Sequence, residues 1–331
     1  VTTPRPLDAK LDRLRQGSND RSDFIIADAK DGDMAFGVTA PGPMAPGVEK
    51  KCAWKPRSAH LDAITAMVDS DLVDIMLLSL SSAEVLTERG VFTDSGVTPA
   101  VRLNDTTDIW NARGSRYRES PSRPFASADL EAACDVVDLG LYSMTFSNDL
   151  ERDLDTLHEY RDFRLDTRGS GMRHFLEVFN PGFDVGIAPD KLGHYINDMI
   201  IKALAGSAGR DAPLFLKIQF NGAAAMQELS AYDPERLIVG ILGGSAGTTR
   251  DTFELASQAA DAGARVALFG RKINLAESPL TLVSLMRDVI EQRTTPADAV
   301  EEYHRRLADE QLDPARALDA DLQITESALK G

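Results

Sequence analysis

Lys217 stands in the apolar run "DAPLFLKIQFNG", between Leu214, Phe215 and Leu216 on one side and Ile218 on the other. Burying an ammonium is costly unless it finds a partner or gives up its proton. Apolar surroundings disfavour the charged form of a lysine, and a neutral amine is a nucleophile. Such an amine attacks a ketone or aldehyde to form an iminium, an electron sink for breaking the neighbouring carbon–carbon bond. A structural lysine held in an ion pair, or one whose head reaches water, is the alternative.

Other polar groups sit at or near the ends of apolar runs. Asp28 and Lys30 are two apart and share a face if extended. Asn104 and Asp105 follow directly on "GVTPAVRL", Tyr142 ends "CDVVDLGLY" with Ser143 next, Glu177 lies inside "HFLEVF", and Gln219 follows Lys217 by two. Two glycine-rich turns come later. "GILGGSAGTTRDTFELASQA" runs from an apolar segment through Gly243, Gly244 and Ser245 into a helix pattern, and "VALFGRKIN" ends in Gly270 and Arg271. Glycines let backbone N–H groups approach phosphate oxygens, and a guanidinium adds charge. Tight turns that need glycine for their backbone angles would leave the same trace.

The elements that must position these groups alternate along the chain. Eight short apolar runs, "DFIIADA", "LVDIMLLSL", "GVTPAVRL", "CDVVDLGLY", "HFLEVF", "LFLKIQ", "RLIVGIL" and "ARVALFG", read as parallel strands covered on both faces. Helical patterns separate most of them, among them "SAHLDAITAMVDS", "SNDLERDLDTLHEYRDF", "PDKLGHYINDMIIKALAG", "TTRDTFELASQAADAG" and "SPLTLVSLMRDVIEQ". This spacing predicts an α/β (β/α)8 TIM barrel over residues 23–292, with a doubly wound open sheet as the other arrangement. Such barrels gather their active sites at the C-terminal ends of the strands, with a phosphate site after strands 7 and 8. Residues 1–22 read as an N-terminal helical segment. Residues 293–331 read as a C-terminal helical extension that covers the barrel or joins copies of the chain, so a homo-oligomer is expected. The Arg-rich stretch 105–124, with Arg113, Arg116, Arg118 and Arg123, is the longest irregular segment.

Composition narrows the function classes. A net charge of −16, from 36 basic against 52 acidic residues, argues against nucleic acid and anionic membrane as partners. No apolar run approaches the length of a membrane span and no signal-peptide core opens the chain, so a cytoplasmic location is expected. Cys52 and Cys134 are too few for a disulfide framework or zinc site, and the five histidines lack ligand spacing. Neither metal nor cofactor is expected.

The "AD" of the first strand, "FLEVFNP", "FLKIQFNG" and "GGSAGTTRDTFELASQAADAGARVALFGRKI" together resemble the class I, Schiff-base aldolases. The resemblance is to the archaeal-type fructose-bisphosphate aldolases and to relatives acting on tagatose bisphosphate, sulfofructose phosphate and deoxyribose phosphate. It spans roughly residues 23–292 and is strongest in the final third. It implies a metal-independent lyase with Lys217 as the Schiff-base lysine, Asp28 as the first-strand aspartate, and "GGS" and "GR" as the phosphate grip. Three departures stand out. Phe179 occupies the place of the family's catalytic tyrosine, Glu177 resembles the glutamate of the tagatose-bisphosphate branch, and Lys272 follows "GR" where a small or amide residue is usual.

The residues and the resemblance together lead to an aldolase acting on a phosphorylated keto sugar or related keto acid. Lys217 is the expected nucleophile and Glu177 the acid/base, with Tyr142 as second choice. Asp28 would bind substrate hydroxyls and, with Lys30, tune the local charge. Asn104 and Gln219 would contact substrate, and Gly243, Gly244, Ser245, Gly270 and Arg271 would grip phosphate. A phosphate-binding isomerase or decarboxylase without imine chemistry, or a non-catalytic sugar-phosphate-binding barrel, are the alternatives.

Overall fold

A computed structural model describes residues 5–44 and 53–330; Cys52 lies outside the described residues. Eight parallel strands close into a barrel. They are β1 (Ile25–Ala29), β2 (Ile75–Leu78), β3 (Thr98–Arg102), β4 (Leu139–Thr145), β5 (Arg173–Phe179), β6 (Leu216–Ile218), β7 (Val239–Leu242) and β8 (Val266–Phe269). Each pairs with its neighbours in sequence, and β8 closes on β1, Ile25 lying opposite Val266. The closed (β/α)8 architecture replaces the open-sheet alternative.

Strand alternation divides the core in two. Ile25, Ala27, Ile75, Leu77, Phe175 and Phe215 point into the barrel, where the rings of Phe175 and Phe215 stack 4.6 Å apart. Ile26, Met76, Val178 and Ile241 point outward against the helices. The helix Pro6–Arg15 packs Leu7, Leu11 and Leu14 against the interior cluster. Several helices begin where sequence rules place them. Asp149 and Thr248 cap the helices Leu150–Asp166 and Thr249–Asp261 with their side chains, and proline opens Pro189–Leu204 and Pro279–Ile290.

Three segments depart from the expected elements. The run "CDVVDLGLY" splits, because Cys134–Val136 end the helix Leu130–Val136 and the strand starts at Leu139. The third strand stops at Arg102, and Asn104–Thr106 instead pairs antiparallel with Pro124–Ala126. The Arg-rich segment is therefore an ordered lobe. Trp110 meets Tyr117 and Phe125 edge-on at 5.2 and 5.4 Å, while Asp108 accepts from Ser122 and, at 2.8 Å, from Thr145 of β4. The N–H of Asn111 donates to the Ala35 carbonyl at 2.7 Å, tying the lobe to the connection after β1.

In the C-terminal extension, the helix Pro296–Asp309 buries Val300, Tyr303 and Leu307 in the outer core. The following residues cross the N-terminus of the helix Thr249–Asp261, where Asp251 accepts hydrogen bonds from Thr325 and from the N–H of Glu326. No described helix is long and apolar enough to cross a membrane.

Candidate active site

Register brings the two central residues together. Glu177 on β5 lies opposite Lys217 on β6, and both side chains follow their inward-facing phenylalanines two residues earlier. Lys217 Nζ is 2.5 Å from Glu177 Oε1, with both groups buried. The other oxygen, Oε2, accepts from Arg102 and from the Ser143 hydroxyl, each at 2.9 Å. Arg102 also donates through Nε to Asp31 at 2.5 Å and to Ser143 Oγ at 2.6 Å. Two cations and two carboxylates thus interlock at the barrel mouth, above the stacked phenylalanines. An amine activated by apolar neighbours alone does not describe Lys217; a carboxylate stands within proton-transfer distance.

The charges hold one another in place. Burial disfavours an ionised Asp31, but Arg102 and Lys217 outweigh it and keep its carboxyl below the usual range. Burial would likewise weaken the proton affinity of Arg102, yet Asp31 and Glu177 more than reverse this and hold it charged.

Lys217, Glu177 and Arg102 open onto a cavity of about 170 Å³, whose opposite wall includes Gly243, Gly244, Gly270 and Arg271. Gly244 has φ +66°, and a Cβ on Gly270 would lie 3.0 Å from the Ala29 carbonyl oxygen, so both turns need glycine. The Arg271 guanidinium lies 5.8 Å over the Phe36 ring. Beside it, Lys272 turns away from the cavity, reaching the Ala246 carbonyl at 3.4 Å and Glu326 at 2.8 Å. Phe179 lines the cavity without a hydroxyl to offer, so Glu177 is the ionisable side chain that β5 brings to its wall.

Other expected site residues fall elsewhere. Tyr142 faces outward because its neighbour Ser143 faces in; its ring packs 4.4 Å from Phe163 and 5.1 Å from Tyr160, and burial pushes its phenol well above the usual range. It cannot reach Lys217. Asp28 also occupies the outward parity of β1 and does not line the cavity. Burial raises its carboxyl, opposed by Lys30 at 3.0 Å, so it acts through Lys30, which does line the cavity. Asn104 spends its side-chain amide on the Ser143 backbone, donating at 2.8 Å and accepting at 2.6 Å, and so ties the first strand of the lobe's hairpin to β4. Gln219 and Ser245 are exposed and outside the cavity wall. Arg102 and Asp31 were missed, although Arg102 is a charge within an apolar strand, the same anomaly that marks Lys217.

No protein-family model and no curated protein sequence matches the chain. Solved structures do. An archaeal fructose 1,6-bisphosphate aldolase superposes with a TM-score of 0.62 over 86% of this chain and 99% of its own, at 15% identity. An archaeal enzyme of the same description, captured with its catalytic lysine covalently bound to the carbinolamine intermediate, gives 0.62 at 16% identity and the same coverage. A fructose-bisphosphate aldolase from Slackia heliotrinireducens gives 0.62 at 13% identity, over 92% of this chain and 94% of its own. The chain therefore shares its fold with class I aldolases that work through a lysine Schiff base.

Proposed function

We propose that this chain is a Schiff-base aldolase, making or breaking a carbon–carbon bond in a phosphorylated keto sugar or related keto acid. The observation that carries the proposal is the Lys217–Glu177 contact at a cavity whose other wall is built from two glycine turns and Arg271. Glu177 takes a proton from the Lys217 ammonium, and the freed amine adds to the substrate carbonyl to give a carbinolamine. The protonated Glu177 then returns its proton to the carbinolamine hydroxyl, which leaves as water, and an iminium remains. In cleavage, Glu177 accepts the proton of the β-hydroxyl as the carbon–carbon bond breaks. An aldehyde departs, and the bonding pair moves toward the iminium nitrogen to form an enamine. Protonation at carbon and hydrolysis release the second product.

Arg102 and Ser143 fix the Glu177 carboxylate through this cycle by holding the oxygen that Lys217 does not use. The glycine N–H groups and Arg271 would fix the phosphate, so that the carbonyl meets Nζ in one orientation. Borohydride reduction in the presence of dihydroxyacetone phosphate, followed by peptide mass analysis, tests the proposal. Wild type should carry the reduced adduct on Lys217, and Lys217→Arg should carry none, because arginine keeps the charge but not the nucleophile. Adduct-free wild type across a panel of keto-sugar phosphates and keto acids, or turnover that survives Lys217→Arg, would overturn it.

A further inference from the structure

The Arg-rich lobe crosses the barrel mouth. On one side its turn Tyr117–Glu119 stands against the connection after β1, where Tyr117 and Phe36 line a common groove. On the other side it meets the connection after β5: a Cβ on Gly182 would lie 3.3 Å from the Arg118 carbonyl oxygen and 3.8 Å from Arg118 Nε. β1 and β5 are diametrically opposed in the closed barrel, so a turn that reaches both connections passes over the opening between them. Arg118 is thereby brought toward Arg271, whose guanidinium lies over the same Phe36 ring. Burial lowers the proton affinity of Arg271, the charge of Arg118 lowers it further, and Glu326 opposes both. The carboxylates near the two arginines are committed elsewhere. Glu326 holds Lys272 at 2.8 Å, Glu119 stands 3.8 Å from Arg116, and Asp184 accepts from the N–H of Gly186. Two exposed guanidinium groups thus stand near each other, without an ion pair among the described residues, at the wall that carries Gly243, Gly244 and Gly270.

We infer that Arg118 is an anion-binding residue of the mouth, which together with Arg271 clamps a phosphate monoester from the lobe side. Like charges held close with no carboxylate between them favour an intervening anion. A guanidinium presents parallel N–H donors that match phosphate oxygens. A phosphate dianion answers both cations, whereas an unphosphorylated keto acid, with a single negative charge, would leave one of them unmet. That the phosphate's carrier reaches Lys217 rests on the aldolase proposal above; the anion site does not.

Calorimetric titration of the full chain with inorganic phosphate tests the site without imine chemistry. Arg118→Gln should weaken phosphate binding about tenfold. Arg118→Lys keeps the charge but loses the planar fork, and should recover part of that loss. Arg116→Gln, at a neighbouring side chain that is 86% exposed, should bind phosphate as wild type does. Acetate at equal concentration should not displace phosphate. In borohydride trapping, Arg118→Gln should raise the dihydroxyacetone phosphate concentration for half-maximal adduct about tenfold and leave that for dihydroxyacetone unchanged. Phosphate binding that depends on Arg118 alongside failed trapping would sink the aldolase proposal and keep the anion site. No phosphate binding by wild type, full affinity in Arg118→Gln, an equal loss in Arg116→Gln, or equal affinity for acetate would overturn the site itself.

Discussion

Glu177 offers one oxygen to Lys217 and the other to Arg102 and Ser143, so its two halves are separable by mutation. Glu177→Gln keeps the shape and loses the proton carrier; turnover should fall by about 10²–10⁴-fold, measured as kcat, with trapping at Lys217 slowed but present. Tyr142→Phe should leave kcat within twofold, since that phenol faces the helix layer; a crippled variant would show that Glu177 is not the proton carrier. Arg102→Met should destabilise the fold by about 3–5 kcal/mol in denaturant unfolding, because it strands Asp31 and Glu177 without their shared partner. At this scale the sequence was partly legible. A charge inside an apolar run marks Lys217 and Glu177 without any knowledge of neighbours. Tyr142 shows the limit, since a one-residue shift in strand parity separates a mouth position from the helix-facing layer. Arg102 was obscured because its strand was read through to Asn104 and Asp105, which moved the mouth two residues too far along.

The barrel strands are elements whose close approach is built into particular residues. Gly240 on β7 pairs with Lys217, and a Cβ there would lie 2.6 Å from the Leu216 carbonyl oxygen. Gly240→Ala should therefore cost about 1–3 kcal/mol in denaturant unfolding and displace the strand that carries the amine. The turns after β7 and β8 act together. Arg271→Ala should weaken phosphorylated ligands about ten- to a hundredfold relative to their unphosphorylated analogues in calorimetric titration. Equal losses for both would mean the turns do not grip phosphate. Apolar runs of six to nine residues made the eight strands readable, since both faces of each are covered. The lobe over the mouth was not readable. Its hairpin strands are three residues each and some twenty apart, too short for periodicity to register.

Across the whole molecule, the C-terminal extension braces the two turns that face the cavity. Gln323 accepts from Thr248, Asp321 from the N–H of Thr249, and Glu326 holds Lys272. Burial opposes ionisation of Asp251, but donors from Thr248, Thr325 and Glu326 prevail and hold it at about 2, below its ordinary 3.8. A depressed carboxyl adds stability that is complete above its unfolded pKa and disappears as pH falls through the folded one. The stability gap between wild type and Asp251→Asn should therefore be constant above about pH 5 and narrow toward pH 2 in acid-series unfolding. A gap independent of pH would mean the carboxylate is not the clamp.

That clamp also fixes an order of events during synthesis. The strands bearing Arg102, Glu177 and Lys217 leave the ribosome long before residues 321–329 do. A nascent chain can close its barrel and join amine to carboxylate while the turns at Gly243 and Gly270 still lack the segment that steadies them. The amine–carboxylate pair is assembled first, and the two glycine turns are steadied only by residues translated last among those described.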